Sequence, residues 1–239
     1  MLAVGFSEFI IGFLETRISN KIMKKKEIIK KVKDYIKKAL GSEPTGHDWW
    51  HSWRVWKMSK KIAKKEGGDL FIIELAALLH DIADWKFHGG NIKAGSEKVR
   101  TLLKELRVNN KTIKNICHII DNISFKGAGV KNRIKTKEGK IVQDADRLDV
   151  IGAIGIARTF AYGGYRRREI YNPNIKPKLH KSFKEYKNNK GTSINHFYEK
   201  ILLLKNRLNT RTAIEIAQKR HGFLEEYLKQ FFKEWEVKL

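Results

Sequence analysis

The chain has 239 residues, 41% of them hydrophobic and 32% charged, which excludes a disordered chain and allows one large domain or two small ones. Its 50 Lys+Arg against 26 Asp+Glu give a formal net charge of +24, a field that attracts polyanions: nucleic acids, nucleotides, phosphates or anionic lipid. A single cysteine, Cys117, rules out an intrachain disulfide framework and a cysteine-based zinc site.

In chain order, residues 1–14 are apolar but contain Glu8. They are too short to span a bilayer as a helix, and no signal-peptide pattern accompanies them. An N-terminal extension or amphipathic helix over residues 1–23 is expected, with Met23 as an alternative start. From Lys24 to Leu40, Ile28, Ile29, Val32, Ile36 and Leu40 recur at helical steps on a lysine-rich helix, and Gly41, Pro44 and Gly46 break it. A second helix runs from about Asp48, its N-cap, to Glu66, and Gly67-Gly68 stops it. Asp69 then caps Leu70 to about Ile82. This stretch is apolar nearly all round, so it should be central and buried.

Gly89, Gly90 and Gly95 mark a loop, and Ser96 with Glu97 starts a helix to about Leu106. Asn110 is read as the cap of the next helix, Lys111 to about Ile123. It carries Cys117 as a small buried hydrophobe, in keeping with a reducing cytoplasm. Residues 124–139 read as a glycine-bearing loop with a short hairpin in reach. One helix is expected from about Lys140 to Tyr162, ended by Gly163-Gly164, then a basic excursion or lid over residues 165–191. Thr192 opens a helix to about Leu208. Thr210 caps a long last helix to near Trp235, long enough to serve as an oligomer interface. With 3 prolines and no alternating stretch, the fold class is all-α, a single domain with a metal-binding core at about 47–165 and C-terminal helices over 192–237.

The residues with chemistry stand at apolar helix positions. His80-Asp81 ends the run Ala76-Ala77-Leu78-Leu79, where polar groups are costly to bury unless their lone pairs are used. Imidazole with carboxylate suits Mn, Fe, Co, Ni or Zn, and Mg less well. Adjacent helix residues point about 100° apart, so one ion needs further ligands from neighbouring helices. His51 on the second helix, and Asp144, Asp146 and Asp149 in QDADRLDVIG, are the candidates. His47, one turn before His51, reads as part of a helix start. Trp49, Trp50, Trp53 and Trp56 surround His51 and read first as packing, second as a base-stacking surface.

Together these motifs resemble a known family. His51-x-x-Arg54-Val55, Leu78-Leu79-His80-Asp81-Ile82 and Asp144-Ala145-Asp146-Arg147-Leu148-Asp149 resemble the HD superfamily of metal-dependent phosphohydrolases. The nearer resemblance is to a branch of small hydrolases called YpgQ- or YedJ-like. It extends through Ile123–Gly127, Ile151–Gly164 and, weakly, Asn195–Lys200, and so covers about Gly46 to Trp235. It implies an HD-domain helical bundle with four metal ligands, which fall on His51, His80, Asp81 and Asp146. It also places an acidic residue three positions after the Asp of the pair. Here that is Asp84, the candidate general base or water-orienting group, although Trp85 follows where some relatives carry a second acid.

One divalent ion is expected, Mn2+ first among the metals named above, with His88 and His118 left as loop or packing histidines rather than ligands of a second ion. Arg54, Lys126, Arg147 and Arg158 are the candidate phosphate contacts. Tyr162-Gly163-Gly164-Tyr165 with Arg166, Arg167 and Arg168 is a segment able to close over a nucleotide. The expected function is release of phosphate or pyrophosphate from a nucleotide by metal-activated water. The alternatives are a basic nucleic-acid-binding protein and a nucleotide sensor that keep the HD fold.

Overall fold

The computed structural model describes residues 23–41, 45–82 and 93–238; the expected extension at 1–22, Asp84 and His88 lie outside them. Among the described residues every regular element is helical and no strand occurs. Among the described residues the first three helices are α1 (Lys25–Ala39), α2 (Trp49–Glu66) and α3 (Leu70–Leu79). Then come α4 (Ala94–Glu105), α5 (Asn110–Ile123), α6 (Lys137–Val150) and α7 (Ala153–Tyr165). The chain ends with α8 (Phe183–Lys187), α9 (Ser193–Glu199), a 3-10 helix (Ile201–Arg207) and the long α10 (Arg211–Trp235).

The caps expected at α2, α3, α9 and α10 form. Asp48 accepts from the His51 amide, Asp69 from those of Phe71 and Ile72, Thr192 from Asn195 and Thr210 from Ala213. The apolar helix α3 is central, packed against α1, α2, α5 and α6, and all its residues after Leu70 are buried. An element with apolar side chains on every face can be stable only where every face is covered.

Five expectations are corrected. Asn109, not Asn110, caps α5, accepting from the Thr112 amide. The loop after α5 holds no hairpin, and α6 starts at Lys137 because the Thr136 hydroxyl accepts from the Gly139 amide. The single helix expected over 140–162 is two, α6 and α7, broken at Gly152, whose φ of +100° is open to glycine and strained for side-chain-bearing residues. Gly163 does not end α7. It lies inside it, where a Cβ would fall 2.1 Å from Ser193 Oγ, so it serves the close approach of α9 rather than a stop. The helix expected from Thr192 to Leu208 likewise tightens into 3-10 geometry after Glu199.

The N-terminus of α10 is anchored from two sides. Asp144 on α6 accepts from the amides of Asn209 and Thr210, the Asn209 side chain and the Thr210 hydroxyl at 2.7–3.0 Å. Glu66 at the end of α2 accepts from the amide and hydroxyl of Thr212. Two carboxylates therefore meet the positive end of the longest helix and tie it to the pair that carries His51 and Asp146. No helix among the described residues is long and apolar enough to cross a membrane.

Candidate metal centre and cavity

His51, His80, Asp81 and Asp146 come from α2, the end of α3 and α6, which share one packed junction. The α3 helix ends at Leu79, so His80 and Asp81 sit in the turn that follows rather than on a continuing helix. His80 keeps helical backbone angles, φ −61° and ψ −32°, and its side chain and that of Asp81 reach one point. His51 Nε2 and His80 Nε2 are 3.0 Å apart. Asp81 Oδ2 lies 3.3 Å from the first and 3.5 Å from the second. Asp146 Oδ1 lies 3.5 and 3.8 Å from the same two atoms.

Each imidazole is aimed by its other nitrogen. His51 Nδ1 is 2.7 Å from Asp149 Oδ2 and His80 Nδ1 is 2.9 Å from the Ala77 carbonyl. With a proton on each Nδ1 donated to those acceptors, two lone pairs point at each other across 3.0 Å in a buried site. That arrangement is repulsive unless a cation stands between them. Ligands bonded at about 2.1 Å and at right angles would be about 3 Å apart, so the observed spacings suit one ion held by His51 and His80 with a carboxylate beside them. The residues present fit a divalent metal.

Behind these four stands a group that the sequence signalled only as acidic residues on an apolar helix. Asp149 accepts from Arg54 Nε at 2.7 Å and Nη2 at 3.0 Å, and from Arg158 Nη1 at 3.1 Å, besides His51. The break at Gly152 turns α7 back so that Arg158 reaches the carboxylate nine residues before it. Burial works to raise the Asp149 carboxyl. The hydrogen bonds of His51 and Arg54, with the charges of His51 and Arg158, hold it well below the usual carboxylate range. For His51, burial and Arg158 lower the pKa while Asp149 and Asp81 raise it, and the net lies above the ordinary value. Proton and cation thus compete for one nitrogen. Burial likewise raises Asp81, but the charges of His80 and His47 and hydrogen bonds from His47 and His51 take it far below.

His47, read from the sequence as a helix start, lies beside the cluster. Its Nδ1 is 2.9 Å from Asp81 Oδ2, and with His51 and Asp81 it forms a second grouping able to hold a cation. The four expected phosphate contacts separate. Arg147 and Arg158 line the cavity next to the cluster. Arg54 is engaged with Asp149, and Lys126 donates to the Asp121 carbonyl at the end of α5; neither lines the cavity. His118 hydrogen-bonds with Asn122 on α5.

The cavity has a volume of about 380 Å³ and opens directly from His47, Asp81 and Asp146. Its remaining wall is basic and aromatic. Arg166, Arg168, Lys187 and Lys200 contribute charge, while Phe125, Tyr162 and Tyr186 contribute rings. The excursion after α7 thus supplies one side of the cavity through α8 and the residues after it. Arg147 is 6% exposed, its Nη1 donates to the Arg207 carbonyl, and its Nε has no hydrogen-bond partner. Burial lowers its pKa to about 10, so it stays a cation at neutral pH.

Comparison with known proteins identifies the family. Residues 49–151 match the HD domain family. The chain is 34% identical to YpgQ of Bacillus subtilis over 213 residues, 89% of this chain and 96% of that protein. The crystal structure of YpgQ in complex with ADP superposes with a TM-score of 0.65 at 33% identity, over 86% of this chain and 97% of that one. A Lactobacillus plantarum structure matches with a TM-score of 0.82 at 35% identity, covering 90% of this chain and 100% of its own. An HD-superfamily hydrolase from Bacillus thuringiensis matches at 0.67 and 44% identity, covering 89% and 99%. The chain belongs to the HD-domain hydrolase family, in the company of YpgQ.

Proposed function

We propose that the protein is a metal-dependent phosphohydrolase of nucleotides, with one divalent ion, Mn2+ first among the candidates, held by His51, His80, Asp81 and Asp146. The observation that carries the reading is the pair of inward-facing imidazole nitrogens 3.0 Å apart, flanked by two carboxylates at the mouth of a basic cavity. When bound, the ion supplies Lewis acidity for water and for a phosphoryl oxygen. Asp149, clamped by Arg54 and Arg158, keeps the His51 ring oriented. Asp84, three positions after Asp81, is the proposed group that orients or deprotonates the attacking water.

Arg147 and Arg158 line the cavity together with Asp81 and Asp146 and are the proposed partners of the reacting phosphate, where they offset its developing negative charge. Tyr162 and Tyr186 supply rings on the same wall against which a base can stack. The crystallised complex of YpgQ with ADP supports a nucleotide as occupant. The test is a panel of nucleotides with purified protein and added Mn2+, read as orthophosphate and pyrophosphate release. Release is expected from wild type and lost in His80→Ala and Asp81→Ala. A protein that binds stoichiometric metal and releases neither product from any nucleotide would count decisively against the proposal.

The tryptophan group does not favour a nucleic-acid reading of the metal site. Trp49 is buried, and Trp53 and Trp56 pack partly buried against the core.

A further inference from the structure

The cavity uses six basic side chains, a small part of a surplus of +24. A second concentration lies elsewhere. Helices α1 and α2 together carry thirteen Lys and Arg against three Asp and Glu. The apolar residues of α1, Ile28, Val32 and Ile36, face the core, which leaves its lysines on the outside. The two helices meet at Trp56. Lys33 of α1 lies 5.7 Å from the centre of that indole ring, and Lys57 and Lys60 of α2 lie at 5.9 and 4.9 Å.

Three ammonium groups gathered around one ring concentrate positive charge at the junction of the two helices. Glu74 is the carboxylate seen there, bonded to Trp56 Nε1 and 3.5 Å from Lys60. The positive faces of the two helices thus meet at Trp56, with Glu74 beside Lys60.

The same face carries rings. Trp50, 57% exposed, lies 6.0 Å from Trp53, and Lys57 lies 5.8 Å from the Trp53 ring. Positions 50, 53, 57, 60 and 64 are three or four apart and form one stripe about 21 Å long on α2. Cations tracking a row of rings match a phosphate backbone with unpaired bases. A lipid surface would need a row of exposed apolar side chains, and Trp50 is the one large exposed apolar residue on these two helices.

We propose that the joint face of α1 and α2 binds single-stranded nucleic acid, apart from the cavity and independently of its chemistry. The probe is a fluorescein-labelled single-stranded oligonucleotide of roughly 12 nucleotides, within the usual range of such sites, followed by anisotropy. With about five phosphates engaged, affinity should fall about 100-fold between roughly 50 and 200 mM salt. The double variant Lys33→Glu/Lys57→Glu should bind at least about tenfold more weakly at the lower salt, with a salt slope smaller by about 1.4. Trp50→Ala should weaken binding at least fivefold with the slope kept. His80→Ala should bind like wild type, and so should wild type with saturating ADP.

The double substitution falls on the exposed Lys57 and the half-buried Lys33, and melting and helicity are recorded beside it. Lys57→Gln/Lys64→Gln is the milder partner should the charge reversal unfold the protein. Oligonucleotide binding abolished by ADP, unaltered by the lysine changes, or absent at the lower salt overturns the proposal. So does lysine-dependent binding to phosphatidylserine vesicles without binding to the oligonucleotide.

Discussion

Asp149 shows how much of a metal centre lies outside its ligands. It touches His51, Arg54 and Arg158, so one carboxylate sets the tautomer of an imidazole and gathers two guanidinium groups behind it. Replacing it with asparagine keeps the shape but weakens the acceptor. Asp149→Asn is expected to lower metal affinity about 10–100-fold, measured by titration calorimetry, with helicity unchanged. The acid behaviour follows from the direction of its pKa. The folded value is depressed, so Asp149 contributes stability above its unfolded pKa of about 3.9. That contribution is lost as pH falls through the folded value. Denaturant titrations of the Asn variant should therefore show a flatter loss of stability below about pH 4 than wild type; an unchanged acid limb would contradict the assignment.

At the scale of elements, the three aspartates of α6 have been divided among three tasks. Asp146 faces the two imidazoles, Asp149 braces one of them, and Asp144 holds α10. The last is a tertiary cap, and its removal strands two backbone amides and a hydroxyl. Asp144→Ala is expected to cost about 2–4 kcal/mol, visible as a lower unfolding midpoint. The bend at Gly152 is as specific. Its φ of +100° and the Arg220 Cβ 3.3 Å from the position of an added Cβ make Gly152→Ala destabilising by about 1–3 kcal/mol. Because the bend brings Arg158 to Asp149, the same variant should also bind metal more weakly, which a simple loss of stability would not produce.

Over the whole molecule, the site is the place where α2, α3 and α6 converge, so ligand binding and folding share the same contacts. A divalent ion at 100 times its dissociation constant should stabilise the fold by about 2.7 kcal/mol, or about 5–10 °C in midpoint for a chain of this length. Thermal unfolding with and without Mn2+ tests this, and His80→Ala should abolish the shift. The charge has two addresses at this scale. One is the cavity wall, and the other is the lysine face of α1 and α2. A change in either address should leave the other intact.

What the sequence by itself determined was local: helical period, four of the caps that side chains provide, the centrality of Leu70–Leu79, and a His…His-Asp…Asp order that placed the chain in its family. These depend on neighbours three or four residues apart, which a linear reading sees. What only the tertiary structure decided was the partner of each polar group. Nothing local distinguishes Asp144 from Asp149, or tells that Arg54 braces a carboxylate, that His47 lies beside Asp81, or that Tyr186 faces the same cavity as Asp146. Those pairings join residues tens of positions apart, and they exist because a buried charge must be met by a group from whichever helix passes nearest.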